Sequence, residues 1–143
     1  MAFTPSAALA TIIDAATASL TLNTNLFIQE ERDPGSAAED GTGIPLTACF
    51  VLNNGGEPPE SYCNNDPSAV KLYKPAVLIR TRCEPGAFAT GQALARTIRD
   101  AVHDYPPSPY ILCKVRESEP LYIGEDDNRC HVWEQNVDMW IED

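Results

Sequence analysis

Cys130, His131 and Glu134 are the residues of this chain whose types and spacing come closest to a reactive site. A thiol, an imidazole and a carboxylate can bind a metal ion or support thiol chemistry when they converge. The surrounding residues alternate as in a β-strand, in which neighbouring side chains point to opposite faces. Cys130 and His131 are therefore expected to diverge, and a structural or surface role is favoured over a small metal or thiol enzyme.

Two further motifs offer only weak signals for chemistry. The acidic stretch Glu125-Asp126-Asp127-Asn128 lacks the glycine and the distal glutamate of a calcium-binding loop, and it is typical of a solvated hairpin turn. The stretch Gly41-Thr42-Gly43 lacks the lysine of a phosphate-binding loop, and no serine lies in a G-x-S-x-G elbow. We therefore predict a protein that is not an enzyme and that carries neither a cofactor nor a metal.

The net charge of −11 is distributed unevenly along the chain. Residues 1–70 contain nine acidic residues and one basic residue, and residues 105–143 contain nine acidic and three basic residues. Residues 71–104 reverse this balance, with six basic and three acidic residues. Binding to nucleic acid requires cations that neutralise phosphates, so the composition argues against a nucleic-acid-binding protein. An acidic surface instead suits a protein that repels DNA passing nearby.

Length and cysteine usage indicate one domain that acts inside a cell. A chain of 143 residues, 43% of them hydrophobic, is long enough to bury a core as a single domain over residues 1–143. The five cysteines are odd in number and widely spaced, which is typical of reduced thiols that pack as small apolar residues. No apolar run reaches membrane-spanning length, and the N-terminus lacks the basic start of a secretory signal.

The clearest structural signal is a strand and a helix within residues 74–104. Val77, Ile79 and Thr81 alternate with Leu78, Arg80 and Arg82. This alternation predicts a strand, which ends at Glu84-Pro85-Gly86. The period then changes to that of an amphipathic helix, with Pro106-Pro107 preventing its continuation. We predict that this strand and helix bury their apolar faces together. Gly91, in mid-helix, is expected to allow close packing.

The remaining pattern predicts an α+β fold with a mostly antiparallel sheet, two main helices as cover, and the N-terminal helix first. A turn is predicted at Asn53-Asn54-Gly55-Gly56, followed by an extended loop to Tyr73. A second long loop is predicted over Asp33–Gly43, and both loops are expected to become ordered mainly through neighbouring molecules. The predicted elements besides the central unit are a helix over residues 6–19 and strands over 26–31, 45–53, 110–116, 121–124 and 130–141.

Several short motifs follow one another in a definite order from Asn25 onward. They are Asn25-Leu26-Phe27, Asp33-Pro34, Gly55-Gly56-Glu57-Pro58-Pro59, Pro75, Val77, Arg80, Arg82, Ala95, Ile98-Arg99-Asp100-Ala101-Val102, Pro120, Gly124, Asn128-Arg129 and Asn136-Val137. Each motif is weak alone, but their order and spacing resemble those of the minor capsid and tail-terminator (tail-completion) proteins of tailed bacteriophages, especially long-tailed ones. The chain departs from that pattern in the turn Gly124–Arg129, which lacks a second glycine, and in a longer loop over Ser61–Tyr73.

The resemblance implies a structural virion protein of the tail or neck, assembled in the host cytoplasm. Such proteins commonly form a hexameric ring that caps the tail tube and joins it to the head–tail connector. The partners implied are further copies of the chain, the tail tube protein and a connector or head-closure protein, with DNA only as the passing genome and no membrane. A head-closure or connector-adaptor protein of the neck remains an alternative, and a small metal or thiol enzyme is the third hypothesis.

Charged residues outside the predicted core are the candidates for contacts with subunits and partners. Arg80 and Arg82 share one face of the central strand and could instead pair with acidic residues of neighbouring strands in the same molecule. If they do contact a neighbouring subunit, reversing both charges should impair assembly more than monomer folding. The full set of candidates is Arg80, Arg82, Arg96, Arg99, Glu30, Glu31, Asp33, Glu125, Asp126, Asp127 and Arg129.

Overall fold

The computed structural model describes residues 4–29, 46–61 and 70–143. These residues form two helices and a six-stranded sheet, with the N-terminal helix first, as the sequence predicted. The fold is α+β. The elements are α1 (Pro5–Ala16), β1 (Leu26–Ile28), β2 (Ala48–Ser61), β3 (Lys71–Cys83), α2 (Phe88–Val102), β4 (Leu112–Val115), β5 (Leu121–Glu125) and β6 (His131–Glu142).

The sheet is antiparallel except at one edge. Its strand order is β1-β2-β3-β6-β4, and β5 pairs with β6 in line with β4. Only β1 and β2 run parallel, with Leu26 opposite Cys49. The predicted antiparallel sheet is therefore confirmed.

Both helices pack on the same face of this sheet. Leu9 and Ile13 of α1 join Ile98 and Val102 of α2 in one buried cluster with residues of β2, β3 and β6. The strands supply every second residue to this cluster, as the alternation of β3 and β6 predicts. The opposite face, which we call the open face, carries Leu78, Arg80, Glu134 and Asp138 among other half-buried side chains.

The first helix is shorter than the sequence predicts. It begins at Pro5, where the missing proline N–H costs no helical hydrogen bond, and it ends at Ala16 rather than at residue 19. Thr17 already has extended backbone angles, and both its backbone N–H and its hydroxyl donate to the Ile13 carbonyl. A β-branched residue whose hydroxyl bonds back to the preceding turn ends the helix here.

The predicted turn at residues 53–56 is wrong, because β2 continues through it to Ser61. Gly55 and Gly56 have positive φ angles, and the pairing with β3 shifts register between Asn53 and Gly56. A Cβ atom on Gly56 would lie 2.2 Å from the Lys74 carbonyl oxygen, so glycine permits a bulge where the two backbones approach closely. The Gly55-Gly56 dipeptide, which led us to predict a turn, instead allows strand β2 to bend.

The predicted loop from Gly55 to Tyr73 is corrected at both ends. Residues 55–61 belong to β2, and β3 begins at Lys71, so the two strands form a long hairpin arm. These parts of the loop are therefore ordered within a single chain. Residues 62–69 of this loop and the predicted loop Asp33–Gly43 lie outside the described residues, as does the end of the strand predicted over residues 26–31.

Gly91 lies at the closest approach between α2 and the sheet. A Cβ atom at this position would lie 2.5 Å from the Trp133 ring and 2.6 Å from the Cys83 Cβ atom. Gly91 lies in the first turn of α2 rather than in mid-helix, and this contact explains a residue that costs up to about 1 kcal/mol relative to alanine inside a helix.

Replacing Gly91 with alanine is expected to lower the free energy of unfolding by up to about 2 kcal/mol. The clash with Trp133 costs roughly 1–3 kcal/mol, and the better helix propensity of alanine recovers about 1 kcal/mol of it. Urea unfolding monitored by circular dichroism measures the difference. Ala93→Gly on the exposed side of α2 is the control, where only the propensity term of about 1 kcal/mol applies. A stabilised Gly91→Ala variant would contradict the close contact.

Candidate functional site

Cys130 and His131 do not form a common site. Cys130 is fully buried beside the turn before β6, and its backbone N–H donates to Asp126 Oδ1 over 2.9 Å. His131 is half-buried, and its Nδ1 lies 2.8 Å from the Tyr122 hydroxyl. Within residues 4–29, 46–61 and 70–143, no group of three or more histidine, cysteine, aspartate or glutamate side chains could hold a metal ion.

The buried thiols are poor nucleophiles for a physical reason. Burial raises the pKa of Cys49 to about 12. Burial and the nearby Asp104 carboxylate raise the pKa of Cys113 to about 12 as well. Burial also raises the pKa of Cys130. Thiol chemistry requires the thiolate, which these surroundings disfavour at neutral pH.

The raised pKa of Cys49 predicts a loss of stability at alkaline pH. Unfolded Cys49 ionises above pH 9.0, whereas the folded protein holds its proton up to about pH 12. Its contribution to stability is therefore intact below pH 9 and is lost at about 1.4 kcal/mol per pH unit between these values. Urea unfolding at pH 8, 9 and 10 measures the slope. Cys49→Ala should reduce the slope by about this amount, while the raised pKa of Cys113 leaves a residual slope, and an unchanged slope in the Cys49→Ala variant would contradict the assignment.

The acidic stretch after β5 is a hairpin turn closed by its own side chain. Asp126 Oδ1 accepts hydrogen bonds from the backbone N–H groups of Asn128 and Cys130, both over 2.9 Å. Arg129 has a φ angle of +61° and donates its backbone N–H to the Asp126 carbonyl. Glu125, Asp127 and Arg129 extend from this turn and are exposed. These three side chains are therefore accessible to a partner, whereas the Asp126 carboxylate is engaged in the turn.

Arg80 and Arg82 both have partners within the molecule. Arg80 lies opposite Glu134 across β3 and β6, and its guanidinium donates to Glu134 Oε1 over 3.1 and 2.6 Å. Arg82 is only 4% exposed, stacks 5.1 Å from the Phe50 ring centre, and donates to the Leu46 carbonyl. The intramolecular alternative is confirmed for Arg80. Arg82 is buried in the monomer, so reversing its charge would affect monomer folding as well as any contact between subunits.

Arg96 and Arg99 connect α2 to the segment before β5. Arg96 donates to the Glu119 carboxylate, and Arg99 donates to the Ser118 carbonyl over 2.8 Å and to Asp100 over 3.0 Å. Half of the Arg96 side chain is exposed, so this ion pair contributes little to stability. A role of Arg96 and Arg99 in contacts between subunits remains a prediction. The candidates Glu30, Glu31 and Asp33 lie outside the described residues.

The structure adds charged residues that sequence reasoning missed, because their partners are distant along the chain. Lys74 contacts Glu60 over 2.6 Å and Glu57 over 3.4 Å, and its ammonium lies 4.8 Å from the Trp140 ring centre. Arg116 pairs with Asp138 over 2.7 and 3.0 Å. The alternation of a strand places Asp138 and Trp140 of β6 on one face, but the sequence does not indicate which cations lie across from them.

Two clefts lie among these charged residues. One, of about 400 Å³, lies between the end of α2 and β4 and is lined by Arg99, His103 and Arg116 with acidic neighbours. His103 Nδ1 accepts the backbone N–H of Val115 over 3.1 Å, and this bond engages the ring nitrogen that a general base would need. The other cleft, of about 200 Å³, lies on the open face beside Lys74 and Trp140. Both clefts are suited to polar contacts with a partner.

Neither the protein-family models nor the curated proteins compared with this chain produce a match. None of the helices in the described part of the chain is both long enough and apolar enough to cross a membrane.

Proposed function

We propose that this chain is a structural virion protein that forms a ring, caps the tail tube of a long-tailed bacteriophage and joins it to the head–tail connector. The observation that carries the proposal is the order of motifs from Asn25 to Val137, which resembles that of tail-terminator proteins. We infer the hexameric ring from that resemblance, and likewise the two partners, the tube protein and the connector.

The β2–β3 arm supports a role in assembly. Residues 53–61 of β2 are all exposed, and the β3 residues that pair with them also pair with the end of β6, so this end of the sheet presents a long ordered surface. Lys74 of β3 binds Glu57 and Glu60 of β2, so one cation ties the two strands of the arm together. A surface that is ordered before binding loses little conformational entropy on binding, which favours its use as a contact element.

The charges of the chain fit a protein that surrounds passing DNA. Its net charge is −11, and the cations of the open face are neutralised by carboxylates, as in the pairs Arg80–Glu134 and Arg116–Asp138. Such a surface offers few cations for phosphate and repels a duplex. This property suits a conduit and does not suit a DNA-binding protein.

Capping of tail tubes is the experiment that tests this function. Purified chain is mixed with tail tubes assembled from the tube protein of the same phage and examined by negative-stain microscopy and mass photometry. We expect rings at tube ends. A monomer that leaves tube ends bare would overturn the proposal, and contact with the portal side alone in a virion reconstruction would favour the head-closure alternative.

The arm allows a sharper form of this test. Replacing Glu57 and Glu60 with glutamine removes both carboxylate partners of Lys74, and we expect binding to tube ends to weaken by about tenfold, or roughly 1.4 kcal/mol. Asp14→Asn with Asp100→Asn, which removes two exposed carboxylates on the helices, away from the arm, is the matched control. Equal effects of the two variants would exclude a specific role of the arm.

A further inference from the structure

The outer edge of β4 is covered by the two residues that follow α2. Strand β4 pairs with β6 along one side. On its other side, the Asp104 backbone N–H donates to the Cys113 carbonyl over 2.8 Å, and the Val115 backbone N–H donates to His103 Nδ1 over 3.1 Å. These two outward backbone groups are therefore satisfied within the molecule, one of them by a side chain that can titrate.

The hydrogen bond from Val115 fixes which nitrogen of the His103 ring carries a proton. A backbone N–H can only donate, so Nδ1 must accept and is unprotonated in this arrangement. The hydrogen of the neutral ring then resides on Nε2, which lies 3.3 Å from Asp104 Oδ2 and can donate to it. Asp104 is in turn held by Lys114 Nζ over 3.2 Å. His103 is therefore neutral, with its proton on Nε2, whenever the contact with Val115 is made.

Protonation of His103 removes the acceptor that Val115 uses. Both ring nitrogens of an imidazolium are donors, so a protonated Nδ1 would face the Val115 N–H donor directly. Val115 is only 8% exposed, and a buried N–H without a partner is unfavourable. The His103 side chain is 43% exposed and borders the cleft of about 400 Å³ between α2 and β4, so the ring has room to turn away from the strand.

Charged groups of both signs line this cleft or contact Asp104 beside it. They are Arg99 and Asp100 of α2, Asp104 itself, Lys114 and Arg116 of β4, and Glu117 after β4. Carboxylates ordinarily ionise near about pH 4 and histidine side chains near about pH 6.5. Between neutral pH and about pH 5, the His103 ring is therefore the group of this set that is expected to change its charge.

The other histidine of the chain lacks this property. His131 Nδ1 lies 2.8 Å from the Tyr122 hydroxyl, and a hydroxyl can either donate or accept a hydrogen bond. The Tyr122 hydroxyl can therefore keep its partner in both protonation states of the His131 ring, whereas the Val115 N–H cannot reverse its role. This difference restricts the pH-dependent contact to His103.

We propose that His103 is a pH-dependent switch between the end of α2 and the edge of β4. At neutral pH the neutral ring accepts the Val115 N–H and keeps this strand edge covered. As the pH falls through the ionisation of the ring, the proton added at Nδ1 breaks the contact, the ring turns into the cleft, and the Val115 N–H becomes open to water. The bond between the Asp104 N–H and the Cys113 carbonyl does not titrate, so the release is local.

The switch would protect the sheet edge at neutral pH, because uncovered N–H groups at an edge are the positions where another strand can pair. It is a property of the monomer and does not depend on the proposed function.

Nuclear magnetic resonance of the full chain tests the switch at about pH 7.5 and about pH 5. The ¹⁵N shifts of the His103 ring should show an unprotonated Nδ1 and a protonated Nε2 at the higher pH, and two protonated nitrogens at the lower pH. Protection of the Val115 amide, measured against an unstructured chain at the same pH, should fall by roughly tenfold at the lower pH. The Arg116 amide, which bonds to the Asn136 carbonyl of β6, should keep its protection.

Two substitutions of His103 separate the presence of an acceptor from its titration. His103→Asn places an amide oxygen close to the position of Nδ1 and does not titrate, so protection of the Val115 amide should be the same at both pH values. His103→Ala removes the acceptor, so protection should be roughly tenfold below that of the native chain at pH 7.5 and should not fall further in acid. His131→Asn is the matched control at the other histidine and should keep the native pH dependence.

Several outcomes would overturn the proposal. A proton on Nδ1 of the native ring at neutral pH would contradict the contact, and unchanged Val115 protection in acid would contradict the switch. A folded His103→Asn variant that loses Val115 protection in acid, or a His131→Asn variant that does not, would assign the pH dependence to another group. Circular dichroism melting shows whether the variants fold, and the two measurements on the native chain decide the question if they do not.

Discussion

Replacement of Trp133 with alanine is expected to lower the free energy of unfolding by about 3–5 kcal/mol, which is the usual range for a buried tryptophan. Trp133 is fully buried in β6 beneath Gly91. Its ring lies 5.4 Å from that of Phe88 and 5.5 Å from that of Tyr122, measured between centroids. Glycine at position 91 leaves no side chain that could fill the cavity, so most of the lost contact cannot be recovered by repacking.

Urea unfolding followed by far-ultraviolet circular dichroism measures this effect without relying on tryptophan fluorescence. Trp140→Ala is the matched control, because Trp140 lies half-buried on the open face and its loss should cost much less. Trp133→Phe should fall between the two, since it retains an aromatic ring and the Nε1 atom of Trp133 has no hydrogen-bond partner among the described residues. Equal losses for Trp133→Ala and Trp140→Ala would show that α2 does not pack on Trp133 as described.

The second large effect is expected for Arg82→Glu, which should destabilise the monomer by about 3–5 kcal/mol. Arg82 is 4% exposed, and its guanidinium bonds the Leu46 carbonyl and stacks on Phe50. A carboxylate in this position would be desolvated and would face a carbonyl oxygen that cannot donate to it. Monomer folding is therefore the first property that this substitution should impair, whereas the sequence had led us to expect that reversing Arg80 and Arg82 together would impair assembly more than folding.

Chemical unfolding at neutral pH compares Arg82→Glu with Arg129→Glu, the same reversal at an exposed position. We expect Arg129→Glu to change the free energy of unfolding by no more than about 0.5 kcal/mol. Arg82→Lys keeps the charge but loses the planar stacking on Phe50, and it should lie in between. A fully stable Arg82→Glu monomer that fails to assemble would restore the subunit contact as the main role of Arg82.

The placement of the arginines also changes which surfaces are the best candidates for assembly. Arg80 and Arg82 are engaged within the sheet, whereas Lys114 and Arg116 of β4 are more exposed and lie on a sheet edge. The turn residues Glu125 and Asp127 remain exposed beside β5. Charge at an accessible edge is better placed to choose a partner than charge in the middle of a sheet face.

Local periodicity was sufficient to predict the elements that bury one face within their own length. The alternation of Val77, Ile79 and Thr81 marked β3, and the apolar stripe from Gly91 to Val102 marked α2. These patterns are readable because a strand repeats every two residues and a helix every 3.6, so burial on one side leaves a direct trace in the sequence. The α+β class and the antiparallel sheet followed from the order of such segments.

Only the tertiary structure decided features that depend on residues distant along the chain. Gly55-Gly56 is equally compatible with a turn and with a bulge, and the close approach of the Lys74–Ala76 backbone made it a bulge within β2. The burial of Arg82 depends on Phe50 and Leu46, more than thirty residues away in the sequence. The exposure of the β5 edge likewise depends on which strands reach β6, because pairing between strands leaves no periodic trace within either strand.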